Sequence, residues 1–238
     1  MEYVSDEHDT GVNMDTLQVA RAIDWTPSFR NQLLPSDEEL DQWCRTAVER
    51  GIGQLLINPM FLEKAKNRLR NTGVKIFCPL EPATMGQGAL SVKLAMLPEL
   101  VRLGAEEIDT LMNFYAFQNE KYDQVENEIR QIVTQAKKLK KDLVVKVIIE
   151  TGLWSETRIK KAAELVSRAG ADYIKTCLGT GPRGVTERDV ELLQEAVGDR
   201  TGIKASGGIR NGTQAVRLLE LGATRLGISQ AIQVLDSI

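Results

Sequence analysis

The chain has 238 residues, 42 % apolar and 26 % charged, with a formal net charge of −3. That is a globular composition of the size of one large domain; it excludes a disordered chain and gives no basic face for nucleic acid or an anionic membrane, and no apolar run approaches the roughly 18 to 20 residues that span a bilayer. Three scattered cysteines (Cys44, Cys78, Cys177) exclude a disulfide framework or zinc spacing, and a single histidine, His8, excludes Ser-His-Asp, Cys-His and ordinary zinc hydrolysis within the fold.

Residues 1–15, "MEYVSDEHDTGVNMD", are acidic and have no apolar core, so they read as a flexible tail rather than a signal peptide, and a cytoplasmic location is expected. A first, weak strand is expected at 20–26. Ser36 and Glu39 form a capping-box pattern for a helix that ends near Gly51, followed by a strand at 52–57. Asn58-Pro59 reads as the start of the next helix, and strands follow at 73–78 and 106–112. After a strand at 143–149, Ser155 and Thr186 are expected caps of helices ending near Gly170 and Gly198, with strands at 172–177, 201–206 and 223–228. One pattern recurs in "ERGIGQLLIN", "RLGAEEIDTL", "RAGADYIKTC" and "ELGATRLGIS": a helix closes on Gly and a strand begins within a few residues. Eight such strands alternating with helices imply a parallel sheet, and favour a single (β/α)8 TIM barrel over 16–238 above a doubly wound sheet.

Residues two apart on a strand share a face. The helices around a barrel demand apolar outward faces, and Ile108, Met112, Ile174, Ile203 and Ala205 supply them. Asp109, Lys146, Lys175 and Lys204 are therefore expected in the lumen. One explanation is an internal ion-pair network, with Asp109 and Glu150 neutralising the lysines. The other is chemical: three crowded amines push at least one toward neutrality, and a neutral amine forms Schiff bases with carbonyls. Moving a lysine pKa from about 10.4 to about 7 takes roughly 4.6 kcal/mol, a size that burial beside a second ammonium supplies. The loops "LGTGPRG", "SGGIRNGTQAV" and "GIS" follow the last three strands, where barrels often hold phosphate on glycine backbone and a helix start.

The segments "LVVKVIIETGL", "GADYIKTCLGTGPRGVT", "GIKASGGIR", "GATRLGIS" and "GAEEIDTLMN" together closely resemble the deoxyribose-phosphate aldolase family. The resemblance implies a metal-free, cofactor-free class I aldolase. In it Lys175 forms the Schiff base, Lys204 perturbs it, Asp109 moves protons and Lys146 stands beside them. It also implies substrate contacts at Asp24, Thr26, Gly179, Gly207, Gly208, Gly227 and Ser229. The implied reaction is the reversible cleavage of 2-deoxy-D-ribose 5-phosphate to glyceraldehyde 3-phosphate and acetaldehyde. A phosphorylated sugar is then the expected partner, and a homo-oligomer is compatible with the sequence. Some positions depart from the family pattern. Leu178 stands where a hydroxyl is usual, Gln230 replaces a serine, Glu81 replaces a glycine in "FCPLEPATMGQGAL", and a tail ending in tyrosine is missing. These departures leave open an aldolase for a different aldehyde, or a degenerate barrel that only binds or assembles.

Overall fold

A computed structural model describes residues 15–27, 35–81, 86 and 88–238. Of the expected tail, only Asp15 lies within the described residues; it is the N-cap of α1 (Thr16–Ala22) and forms a capping box with Gln18. The Ser36/Glu39 box opens α2 (Asp37–Glu49) as expected, and a third box, Thr186 with Asp189, opens α8 (Glu187–Val197). Two expected caps differ. Asn58 makes no side-chain cap and precedes a 3₁₀ turn, Pro59–Phe61, before α3 (Leu62–Arg68); Ser155 precedes α7 (Glu156–Arg168) without a side-chain bond. The glycines of the recurring pattern do close helices: Gly104 after α4 (Leu90–Leu103) and Gly222 after α9 (Gly212–Glu220) have φ of 115° and 109°, where a Cβ would be strained. The other helices are α5 (Phe114–Gln118), α6 (Tyr122–Leu139) and α10 (Ala231–Leu235).

Eight parallel strands, β1 (Ile23–Trp25), β2 (Gln54–Leu56), β3 (Lys75–Pro79), β4 (Glu107–Leu111), β5 (Val144–Ile148), β6 (Tyr173–Lys175), β7 (Gly202–Ser206) and β8 (Arg225–Ile228), pair in sequence order and close on themselves. The closing pair, β1 with β8, aligns Asp24 with Gly227. The chain is thus a (β/α)8 barrel. The strands are shorter than their apolar runs: the expected first strand begins inside the last turn of α1, and 172–177 pairs only through Lys175 before the chain turns out into its loop. Outward residues such as Ile108, Val145, Val147, Ile174, Ile203 and Ala205 are buried in the apolar layer between sheet and helices. That layer is the hydrophobic core, and it frees the lumen to hold polar groups. Among the described residues no helix is long and apolar enough to cross a membrane.

Candidate active site

β4 aligns Asp109 with Lys146 on β5, β5 aligns Lys146 with Tyr173 on β6, and β6 aligns Lys175 with Lys204 on β7, so the Lys175 and Lys204 pair stands two residues farther along its strands than Lys146. Lys175 Nζ donates to Asp109 Oδ2 at 2.8 Å, and Lys204 Nζ donates to the same oxygen at 2.9 Å. Lys204 also reaches Asp24 Oδ2 at 2.6 Å. Lys146 lies against Asp24 Oδ2, Glu107 Oε2 at 2.7 Å and Asp109 Oδ1 at 3.3 Å. Arg225 closes the lower end, 3.1 Å from Asp24 Oδ1 and 3.2 Å from Glu107 Oε1. Asp24, Lys146 and Lys204 are 0 % exposed, and Lys175, nearest the open end, is 5 % exposed.

Four cations (Lys146, Lys175, Lys204, Arg225) thus face three carboxylates (Asp24, Glu107, Asp109). The imbalance favours loss of one proton from an amine. Burial, reinforced by Lys146 and Lys175 against the pull of Asp109 and Asp24, lowers the Lys204 pKa to about 8. Burial also acts on Lys146, but Asp109, Asp24 and Glu107 outweigh it and raise its pKa, fixing it as an ammonium. Asp24 is pushed up by burial yet held down to about 2 by Lys146 and Lys204; Asp109, opposed by burial in the same way, lies well below the usual carboxylate range because of Lys146, Lys175 and Lys204. The ion-pair network and the depressed amine therefore coexist, as two aspects of one cluster.

Phe77 forms part of the wall beneath the lysines. It is fully buried yet stands apart from the hydrophobic core, with the Nζ atoms of Lys146 and Lys204 each 4.2 Å from its ring centroid. A ring face can attract ammonium groups without offering them a proton. Gly227 is required by crowding from the neighbouring strand β7: a Cβ there would lie 2.4 Å from Ser206 Oγ and 3.3 Å from Lys204 Cε.

Above this layer, Thr26 N donates to Ile228 O, and Trp25 Nε1 donates to Ser229 O at 3.2 Å, tying the end of β1 to the loop after β8. Gly179, Gly207 and Gly208 all have positive φ. The loops after β6 and β7 are joined: Val185 N donates to Gly207 O at 3.0 Å, Thr176 Oγ1 donates to Ser206 O and Ser206 N donates back to Thr176 Oγ1. The start of α9 differs from an open anion cradle. Gly212 N donates to Ser237 Oγ and Gln214 N to Asn211 Oδ1, so two of its first amides are already taken. Leu178 turns its side chain onto the apolar layer.

Glu150 does not neutralise the lysines by pairing, as one sequence reading had it; its Oε2 accepts the Leu178 N–H at 2.8 Å. The sequence also left Glu107 and Arg225 unassigned, although each shares its strand face with an inward residue, Asp109 and Gly227. Glu81 has a structural explanation: it is buried, accepts from Leu111 N at 2.7 Å and from Thr110 Oγ1, and pairs with Lys93 of α4 at 2.9 Å, while Lys93 donates to Leu111 O. The pair pins the segment after β3 to the end of β4. Beside the mouth, a cleft of about 820 Å3 is lined by Leu90, Asn113, Tyr115, Leu153 and Trp154 among others, and by none of the lumen charges.

Comparison with known proteins places the chain in a family. Residues 8–224 match the model of the family described as "DeoC/LacD family aldolase". The deoxyribose-phosphate aldolase of Caldanaerobacter subterraneus subsp. tengcongensis is 37 % identical over 92 % of this chain and 93 % of its own, and that of Dictyoglomus turgidum is 36 % identical over 94 % and 99 %. A solved structure from Aeropyrum pernix, described as a unique tetrameric deoxyribose phosphate aldolase, superposes with a TM-score of 0.82 at 31 % identity, covering 94 % of this chain and 92 % of that one. The chain belongs to the DeoC/LacD aldolase family.

Proposed function

We infer that the protein is a class I deoxyribose-phosphate aldolase, cleaving 2-deoxy-D-ribose 5-phosphate reversibly to glyceraldehyde 3-phosphate and acetaldehyde through a Schiff base on Lys175. The observation that carries the reading is the single Asp109 oxygen shared by the amines of Lys175 and Lys204, at 2.8 and 2.9 Å. Lys175 is the amine nearest the open end, so it meets the carbonyl. A proton leaving it crosses Asp109 Oδ2 to the Lys204 amine. The free amine adds to the substrate aldehyde carbon, and the carbinolamine loses water to give a protonated imine. That imine accepts the electron pair of the C2–C3 bond as the C3 hydroxyl loses its proton. Glyceraldehyde 3-phosphate leaves, the enamine takes a proton on carbon, and water releases acetaldehyde and restores Lys175. Lys146 and Asp24 act from beneath, as fixed charges that hold Lys204 and Asp109 in place.

The 5-phosphate is assigned to the backbone of Gly179, Gly207, Gly208 and Ser229, with Gly227 leaving room for the lysines and Thr26 on the opposite rim. Positive-φ glycine backbone with nearby N–H groups suits an oxyanion. A sugar phosphate is a metabolite of the cell interior, which makes the cytoplasm the compartment of choice, and the tetrameric Aeropyrum pernix relative supports self-association. The test is turnover of 2-deoxy-D-ribose 5-phosphate beside unphosphorylated 2-deoxy-D-ribose, following acetaldehyde. A higher kcat/KM for the phosphorylated sugar supports the reading, and no acetaldehyde from either rejects it.

A further inference from the structure

Glu150 is a buried carboxylate that the proposed chemistry leaves unused. It lies two residues beyond the end of β5 with φ 54° and ψ 71°, the left-handed region that a residue with a Cβ rarely enters. Its neighbours are held on either side, Ile149 N donating to Lys175 O at 3.0 Å and Thr151 N to Thr176 O at 2.9 Å. The side chain is 0 % exposed. Oε2 accepts the Leu178 N–H at 2.8 Å, whereas Oε1 has no hydrogen-bond partner among the described residues. Oε1 lies 2.2 Å from where a Cβ on Gly181 would be, so the carboxylate occupies space that only a glycine leaves. Burial pushes its pKa up, against the Leu178 amide, the Lys175 charge, the Cys177 thiol and Arg183. A strained backbone and an orphaned buried oxygen both cost stability, and such costs concentrate at functional sites.

The same turn is held from its far side. Arg183 grips Asp189 with both terminal nitrogens, and Val185 N reaches Gly207 O. Between these anchors stands Gly179, at φ 104°. We propose that Glu150 is a positioning residue that clamps the turn 178–181 after the Schiff-base strand, fixing the shape in which Gly179 presents its backbone to the anionic end of the substrate. This rests on the phosphate placement of the function proposed above.

The test compares Glu150→Ala, Glu150→Gln, Gly181→Ala and the Glu150→Ala/Gly181→Ala double variant, each assayed with 2-deoxy-D-ribose 5-phosphate and with 2-deoxy-D-ribose. Glu150→Ala is expected to raise KM for the phosphorylated sugar about tenfold, the scale of one charge-assisted hydrogen bond, with little change on the unphosphorylated one. Glu150→Gln, whose amide oxygen can still accept from Leu178 N, restores most of that loss. Gly181→Ala reproduces the Glu150→Ala defect because its methyl displaces the carboxylate, and the double variant is no worse than Glu150→Ala alone. Equal losses on both sugars, no rescue by Gln, or additive losses in the double variant would overturn the clamp. If Glu150→Ala does not fold, Gly181→Ala and Glu150→Gln carry the same comparison between the sugars. An inactive wild-type protein would instead count against the function on which the clamp rests.

Discussion

Replacing Lys204 with methionine removes one cation from the lumen and keeps an unbranched stem of similar length. Asp24 retains Lys146 and Arg225, and Asp109 retains Lys146 and Lys175. Both Lys175 and Lys204 lie on one Asp109 oxygen, at 2.8 and 2.9 Å, so their nitrogens can be no farther apart than those lengths laid end to end, about 5.7 Å. At an effective dielectric constant of about 20, two ammonium charges at that distance repel by about 3 kcal/mol, close to two pH units. With both amines present the cluster gives up its first proton that much sooner, consistent with a Lys204 pKa of about 8. In Lys204→Met the rising limb of log kcat/KM should move about two units to higher pH. Activity at pH 7 should fall about 100-fold, and the gap to wild type should narrow to within about tenfold by pH 10. The assay is acetaldehyde release between pH 6 and 10, with thermal unfolding of both proteins as a control. A variant reduced by the same factor at every pH, with its limb unmoved, would refute the electrostatic role of Lys204.

Lys93→Met strands Glu81 as an unpaired buried carboxylate and should cost about 3 to 5 kcal/mol in urea unfolding; Glu81→Leu/Lys93→Met together should cost less, and a Lys93→Met loss below about 1 kcal/mol would show the pair to be idle. Asp24 is held at about 2 in the fold against an ordinary 3.8, so its stabilisation is complete above the unfolded value and is lost as pH falls toward 2. It amounts to about 2 kcal/mol, and Asp24→Asn should flatten that part of the acid stability curve; an unchanged slope would contradict the pairing. Lys204 gives a slope of the same sign at higher pH: its folded value of about 8 lies below the ordinary 10.5, so stability rises as pH climbs between those values, an increase Lys204→Met should abolish. Ser229→Glu places a carboxylate at the assigned phosphate site and should raise KM for the phosphorylated sugar about tenfold or more, leaving the unphosphorylated one nearly unchanged; equal KM effects on both would move the phosphate elsewhere.

The barrel was legible because its signals are local: a glycine at a helix end and a short apolar run after it report one α-to-β step without knowledge of any other. The lumen lysines were legible by elimination, since an outward Lys146 or Lys204 would be buried against apolar helices. The same parity reaches Glu107 and Arg225, but it does not tell that they meet at the lower end of the barrel, because strand register is a relation between distant segments. Phe77 reads as one more core aromatic until Lys146 and Lys204 are seen over its ring. Glu81 with Lys93, and Glu150 with Leu178 and Gly181, join residues that no helical or strand period relates, and the left-handed backbone at Glu150 has no glycine or asparagine to announce it.

The central claim is that Lys175 is the amine that bonds to the substrate. Incubating the protein with acetaldehyde, reducing with borohydride and locating the added mass by peptide mass spectrometry tests it most directly. The account predicts a two-carbon (ethyl) adduct on Lys175 that disappears in Lys175→Leu. An adduct chiefly on Lys204, or none on any lysine of the active wild-type protein, would contradict it.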